Sequence, residues 1–519
     1  MPLAKSYAIS LIGLNGSLVE VEADISSNLP GFVIVGLPDA SLSEATARVR
    51  AATVNSSLPL PNRKLTVNLS PAAIPKFGSS FDLAIAIAAL RAAGTIKNQE
   101  RFLYVGELGL DGSVRPVRGV LPSVLSATHL GFEKVMVPQA NFAEASLVGD
   151  IEVVGVDSLS EAVARLAAGS SQRRIQVQPS HTLTDSAGES QESSLAKDVA
   201  DIYGQPFAIE ALKIAAAGGH HMLMIGSPGV GKTMMAERLP GLLPDLAIEY
   251  ALETTALHSI SASRNRIGSQ LVVRPPFEAP HHSASSAAMI GGGKGVPTPG
   301  LVSLAHNGVL FLDEAPEFQL PALESLRQAI ESGEVTIARS AGIARFPARF
   351  QLVLAANPCP CGFAMSKKAS CRCTPMARQR YLTRLSGPLL DRIDIRLRIT
   401  EVNSAQVELD RKNPNRADSA RLRAQIARAR EAGAARNRIF GFELNAQAPT
   451  SALRAIYADK VALTATLDRA LRAGQINLRG YDRCLRVALT IADLAGREVE
   501  ASDIAQAMIL RGEDQLGAA

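Results

Sequence analysis

Tryptophan is missing altogether, aromatic residues make up 4% of the chain, and no apolar run approaches the roughly 18 residues that a membrane-spanning helix needs. That last absence excludes a helical membrane protein. Cysteine is scarce too: there are five in 519 residues, and four of them fall between Cys359 and Cys373. Such clustering argues against a disulfide framework and for a reduced compartment with one local metal site. Excess charge is small. At a formal net charge of +5, any nucleic-acid surface must come from local clustering rather than from the total. The stretch Met1-Pro2-Leu3-Ala4-Lys5 lacks the charged-then-apolar run of a signal peptide, so a soluble, cytoplasmic protein is expected. One domain per ~150 residues gives three or four domains.

What is present centres on Gly226-Ser227-Pro228-Gly229-Val230-Gly231-Lys232-Thr233, which fits the phosphate-loop pattern G-x-x-x-x-G-K-[ST]. His221 to Ile225 before it reads as a buried strand, and Met234 to Leu239 after it as a helix. In that context the glycines let backbone N–H groups turn toward phosphates at a helix N-terminus. Lys232 would reach the β- and γ-phosphates, and Thr233 would place its hydroxyl on Mg²⁺. Hydrolysis also needs an acidic pair on a buried strand, and Gly308-Val309-Leu310-Phe311-Leu312-Asp313-Glu314 supplies one. Asp313 would hold the Mg²⁺ shell and Glu314 would orient the attacking water. A third strand, Leu352 to Ala356, ends at Asn357, an amide placed to sense the γ-phosphate.

Residues 1–169 alternate short β-like runs (Val19 to Ala23, Gly31 to Val35, Leu65 to Leu69, Leu103 to Gly106, Lys134 to Pro138, Ile151 to Val156) with helical pattern, an α/β unit with its own core. Helices are expected over Ser41 to Ala52, Ser80 to Ala93 and Leu121 to Leu130. Pro75-Lys76-Phe77-Gly78-Ser79-Ser80-Phe81-Asp82-Leu83 and Gly106 to Val117 resemble the Lon protease-like fold of ribosomal S5 domain 2 type. Laid on that family's pattern, Ser80 takes the nucleophile position, but the lysine position falls on Leu121. A hydrocarbon cannot take a proton, so no peptidase activity is expected, and Ser80 is read as a helix N-cap. Residues 170–194 are rich in Ser, Gln, Thr and Glu and read as a flexible tether.

Together with a helical C-terminal region (401–519), the strand-end motifs of residues 195–400 resemble the AAA+ superfamily. Two further stretches narrow the likeness: Arg274 to Ser283 with Gly291-Gly292-Gly293-Lys294, and Leu385-Ser386-Gly387-Pro388-Leu389-Leu390-Asp391-Arg392-Ile393-Asp394. Both resemble the magnesium chelatase-like branch, closest to the competence protein ComM (YifB) family, over almost the whole chain. The resemblance implies a hexameric ATPase with Arg392 as arginine finger in trans and Arg384 as fallback. Arg479 is implied as the sensor that touches nucleotide in its own subunit, with Arg483 as alternative. It implies as well a pore hairpin, Gly333 to Arg339 and Gly342 to Phe346, where Arg339, Arg345 and Lys294 would grip a DNA backbone. The family's implied activity is branch migration, a helicase reaction, during recombination of incoming DNA in natural transformation. In one departure, Glu278 stands where that pattern has a basic residue before Ala279-Pro280-His281-His282. Adjacent histidines on a strand point to opposite faces, so no joint metal site is expected there.

Cys359, Cys361, Cys371 and Cys373 could close a tetrahedral Zn²⁺ site that pins the 359–373 insert, the alternative being reduced free thiols. Between Arg411 and Arg438 stand nine basic residues and two acids, mostly on a helix from Ser419; solvated face and DNA contact are both open. Cys484 reads as core and Ser502 as a helix cap. The expected fold is α/β and multidomain: Lon-like unit, AAA+ core, helical lid. A chelatase motor subunit, or an ATP-dependent remodeller of a protein partner, remains the alternative function.

Overall fold

The computed structural model describes residues 3–27, 29–36, 42, 44–168, 197–261, 270–293, 296–339, 342–366, 369–413 and 416–512. The expected tether, 170–194, and Lys294 lie outside them.

Seven strands build the first sheet: β1 (Ala4–Ile12), β2 (Asn15–Ser26), β3 (Gly31–Val35), β4 (Lys64–Ser70), β5 (Leu103–Tyr104), β6 (Lys134–Pro138) and β7 (Glu152–Val156). Their spatial order is β3-β4-β2-β1-β5-β6-β7. β1 and β2 form an antiparallel hairpin in register from Ala4 opposite Ala23 to Ile12 opposite Asn15, while β5, β6 and β7 run parallel. Helices α1 (Ala45–Asn55) and α2 (Asp82–Ala92) cover one face, and α3 (Val120–His129) the other. The strand β1 is absent from the periodicity reading. Two of its inward positions, Ser6 and Ser10, are polar, and each hydroxyl donates to a carbonyl, that of Ala84 or of Pro75, both at 2.7 Å. The N-cap of α2 is Phe81 rather than Ser80, with no side-chain cap bond. Capping is replaced there by a buried ion pair. Asp82, in the first turn, takes Arg48 Nε at 2.6 Å and the Leu108 N–H at 3.2 Å. Leu121 is fully buried in α3, so the position where a Lon-type base would stand is hydrocarbon core.

The second sheet is wholly parallel. Its strands are β8 (Met222–Gly226), β9 (Phe277–Glu278), β12 (Val309–Leu312), β15 (Gln351–Ala356) and β16 (Ile395–Ile399), in the order β9-β12-β15-β8-β16. Both faces are buried, as continuous apolar strands require. On one face Met222, Met224, Phe311 and Val353 meet α5 (Pro206–Gly218) and α6 (Lys232–Leu242). Leu223, Leu310, Leu312 and Leu354 face the other way. There they pack with α9 (Leu320–Ser332) and with an antiparallel hairpin, β13 (Glu334–Arg339) and β14 (Gly342–Pro347). Helix α7 (Ile248–Ile260) precedes β9, and between β9 and β12 lie the short helix α8 (Ser286–Ile290) and a two-residue pairing of β10 (Gly291–Gly292) with β11 (Thr298–Pro299). The C-terminal helices α10 (Ser419–Asn437), α11 (Val461–Arg472), α12 (Leu478–Ala495) and α13 (Ala501–Arg511) close over the α5 side. Cys484 is buried in α12 as expected, whereas α13 is capped by Glu500 and not by Ser502.

The two units pack on each other: Ala256 and Leu252 of α7 join the apolar cluster around α3, and Ile12 and Leu14 join that of the second sheet. The N–H of Gly119 donates to Ser259 Oγ at 3.1 Å, and that hydroxyl donates on to Glu144. Gly13, at the turn between β1 and β2, has φ +67° and sits where an added Cβ would meet the Arg345 carbonyl oxygen at 2.8 Å.

Candidate active site

Parallel strands bring their C-terminal ends to one edge, and β15 lies between β8 and β12. That order alone puts Asn357 between the phosphate loop and the acidic pair. Glycines 229 and 231 hold φ of +79° and +92°, the left-handed region that lets the loop curl with its N–H groups inward. Lys232, 8% exposed, donates to the carbonyls of Gly226 (2.7 Å) and Ser227 (3.1 Å) and to Asn357 Oδ1 (3.1 Å). Burial pulls its ammonium below the ordinary lysine value, against the pull of Asp313 and Glu314. Thr233 Oγ1 donates to Asp313 Oδ2 at 2.6 Å. The buried hydroxyl of Ser227 has no hydrogen-bond partner, a polar atom left over beside Pro228 and Val230. An inward-turned N–H loop, a lysine at its centre and an orphaned hydroxyl fit a nucleoside triphosphate. A hydroxyl and a carboxylate in contact are hard oxygen donors of the kind Mg²⁺ takes. Glu314 stands at φ +49°, unusual for a residue other than glycine, with its carboxylate half exposed.

The arginines gather elsewhere. A cavity of about 840 Å³ between the second sheet and the C-terminal helices is lined by Arg392, Arg479, Arg483 and Arg486, together with Asp391 and Glu331. Arg392 is paired with Glu331, and neighbouring arginines join burial in lowering its guanidinium from the usual value. Arg479 reaches Asp391 at 3.2 Å, and Arg483 ion-pairs with the buried Asp394, which His220 also approaches at 3.2 Å. No phosphate-loop residue lines this cavity. Arg479 thus lines a cavity apart from the phosphate loop. Arg392 lines the same cavity, and Arg483 is committed to Asp394. Arg384 stays near the acidic turn, donating to the Phe318 carbonyl at 3.3 Å.

Arg339 and Arg345 are both exposed on the β13–β14 hairpin, near Ile343, which is 63% exposed. The basic residues of α10 divide: Arg421 and Arg428 are exposed, while Arg423, Arg430 and Arg436 are half-buried and bonded within the chain. Arg423 donates to the Leu243 carbonyl, Arg436 pairs with Asp493, and Arg430 donates to the Ala216 carbonyl, its guanidinium pushed by burial down to about 10. The histidine expectation also needs correcting. His281 and His282 sit in a turn after β9, not on a strand, and their rings lie 4.1 Å apart instead of on opposite faces. His282 Nδ1 lies 3.5 Å from Glu314 Oε2, a contact sequence spacing could not reveal.

The four cysteine sulfurs converge within 4.8 Å, with Sγ–Sγ distances of 3.4, 3.6 and 3.5 Å among Cys359, Cys361 and Cys371. Thiolates about 2.3 Å from a tetrahedral zinc stand roughly 3.8 Å apart, so the cluster has nearly the right dimensions. The loop abuts the phosphate loop, since a Cβ on Gly362 would meet Pro228 at 2.6 Å.

Comparison with known proteins follows this geometry. Family models described as "Magnesium chelatase, subunit ChlI", "Subunit ChlI of Mg-chelatase" and "Magnesium chelatase, subunit ChlI C-terminal" match residues 198–407, 21–141 and 416–511. An uncharacterized protein of Mycobacterium tuberculosis is 46% identical over 499 residues, 96% of each chain. The competence protein ComM of Haemophilus influenzae is 39% identical over 500 residues, 96% of this chain and 95% of that one. A Lon protease of Sorangium cellulosum is 29% identical over 165 residues, 29% of this chain and 20% of its own. Among the described residues no helix is long and apolar enough to cross a membrane.

Proposed function

The chain belongs to the competence protein ComM family of magnesium chelatase-like AAA+ ATPases, and from that premise we propose that it is a ring-forming motor that spends ATP to move DNA. The reading extends to branch migration of recombining strands in natural transformation. One observation supports it: the phosphate-loop cluster and the arginine cavity are apart on one chain, with no phosphate-loop residue lining the cavity. Neither is complete alone, and a neighbouring copy supplies the other half, as in a closed hexamer. Arg392 and Arg479 then serve the nucleotide of the adjacent subunit.

In the joined site Lys232 leaves its loop carbonyls for the β- and γ-phosphates, and loop N–H groups take the remaining oxygens. Thr233 and Asp313 would hold Mg²⁺, which would supply positive charge against the phosphates. Glu314 orients a water and takes its proton as the oxygen attacks the γ-phosphorus and the bond to the β-phosphate's bridging oxygen breaks. Asn357 holds the γ-phosphate side of that water, and Arg392 meets the charge that develops. The exposed Arg339 and Arg345 grip phosphates of the DNA backbone. The cysteine cluster holds Zn²⁺ as a structural clip.

A second reading, a chelatase-type motor subunit, is favoured by the family description itself. The model matched over 21–141 carries a chelatase subunit's name, so the first sheet does not separate the two. Steady-state ATP hydrolysis without DNA, with single-stranded DNA and with a branched junction does. Stimulation by DNA that is lost in Lys232→Ala and Arg392→Ala supports the DNA motor. A brisk rate indifferent to every DNA form sinks it and leaves the chelatase and protein-remodelling readings.

A further inference from the structure

We infer that His282 is a positioning residue for ATP hydrolysis, holding the Glu314 carboxylate from a segment whose far end rests on the arginine hairpin. The inference rests on the assignment of Glu314 as the group that orients the attacking water.

Glu314 needs holding. Its backbone is in the left-handed region, and its side chain leaves the strand end half exposed, with no partner in its own strand. Among the described residues, His282 is the side chain of opposite charge type within ion-pair reach of it, Nδ1 to Oε2 at 3.5 Å. His282 is itself braced. Its ring lies at 34° to that of His281, with centroids 4.1 Å apart. His281 Nδ1 in turn meets Ser283 Oγ at 2.8 Å, and the Ala284 N–H closes the turn on the His281 carbonyl at 2.9 Å. At 3.5 Å the two groups are in contact without a hydrogen bond, and an imidazole carrying its proton on Nδ1 needs only a small approach to donate to the carboxylate and fix where its oxygens point. A base displaced by about 1 Å can lose ~100-fold in rate.

From His282 the chain runs straight to the hairpin. Ser285 caps α8 by accepting the Ala288 N–H at 3.2 Å, and α8 leads into β10. At Gly291 an added Cβ would lie 3.0 Å from Ile337 Cδ1, and at Gly292 3.7 Å from Arg339 Nη2. Ile337 and Arg339 belong to β13, so displacement of the hairpin by a polyanion bears on the segment that ends at the catalytic carboxylate.

The test is ATP hydrolysis by the 519-residue chain bearing His282→Ala, His282→Asn or Glu314→Gln, measured first without DNA. His282→Ala is expected to lower kcat ~10- to 100-fold while KM for ATP moves by less than about twofold. His282→Asn, which keeps an N–H donor, should regain most of the loss. A native kcat in His282→Ala overturns the inference. So does an equal loss in Ala and Asn variants accompanied by weaker binding of a fluorescent ADP analogue, which would mark a merely structural residue. Hydrolysis that survives Glu314→Gln would overturn the Glu314 assignment instead, and would do so independently of His282. With DNA added, stimulation should be smaller in His282→Ala than in His282→Asn; equal stimulation would sever the link to the hairpin.

Discussion

The two sheets are built by the same rules and spend their charged residues in opposite ways. In the first, Arg48 and Asp82 neutralise each other inside the fold, and Lys76 is buried against the Pro71 carbonyl. Burial alone would push the Asp82 carboxyl up, and Arg48 opposes that shift. In the second, Lys232, Asp313, Glu314 and Asn357 are lifted to one edge of a parallel sheet, where Lys232 bonds Asn357 and its own loop carbonyls, Asp313 bonds Thr233, and Glu314 is half exposed beside His282. Charge inside a fold specifies shape. Charge collected at the ends of parallel strands is left free to meet a ligand.

Substitutions sharpen that contrast, beginning with the largest effect. Lys232→Ala should bring ATP hydrolysis to background, whereas Ser80→Ala, in the turn before α2, should leave kcat unchanged; a colorimetric phosphate assay reads both. Arg392→Ala should cost ~10³-fold. Mixed with Glu314→Gln chains it should recover activity in the joints where an intact arginine meets an intact base, and no recovery would break the two-half-site reading. Arg48→Ala leaves the Asp82 carboxylate buried without its partner and should cost about 3–5 kcal/mol in urea unfolding. Any folded fraction of it should keep its hydrolysis per molecule. Cys371→Ser should lower zinc per chain in metal analysis from about one toward zero. The smallest effect concerns pH. His221 Nδ1 accepts the Leu352 N–H at 3.0 Å, and burial holds its pKa down to about 4, so the ring must stay neutral in the fold. A depressed histidine stabilises fully above its ordinary value of about 6.5 and loses that contribution as pH falls from there toward 4. The urea midpoint should therefore drop between those limits, with a flatter profile in His221→Asn.

Sequence legibility followed the same divide. The phosphate loop and the Leu312-Asp313-Glu314 strand end declare themselves because local pattern and chemistry coincide in a few consecutive residues. Asn357 could be found as a polar residue closing an apolar run. The hairpin of Arg339 and Arg345 was visible as two alternating runs about a small-residue turn, and it pairs from Glu334 opposite Pro347 to Arg339 opposite Gly342. Strand β1 was not visible, because Ser6 and Ser10 point inward and satisfy their hydroxyls on distant carbonyls. Nor was the meeting of His282 with Glu314. It depends on β9, a strand of two residues lying beside β12, and so short a strand carries no period. Arg479 was legible only in part: its helix could be read, but its pairing with Asp391 depends on how the C-terminal helices fold back.

The contact at Gly13 has a consequence for genetics. That glycine belongs to the sheet without the hydrolytic cluster, yet its left-handed backbone and its closeness to the Arg345 carbonyl leave no room for a side chain. A change to alanine there must shift either the β1–β2 turn or the hairpin that carries the exposed arginines. In a screen for loss of motor function, such an allele would map to the first sheet while its damage lay in the second. Its suppressors should arise along Gly342 to Pro347, where a small adjustment of the hairpin restores the fit.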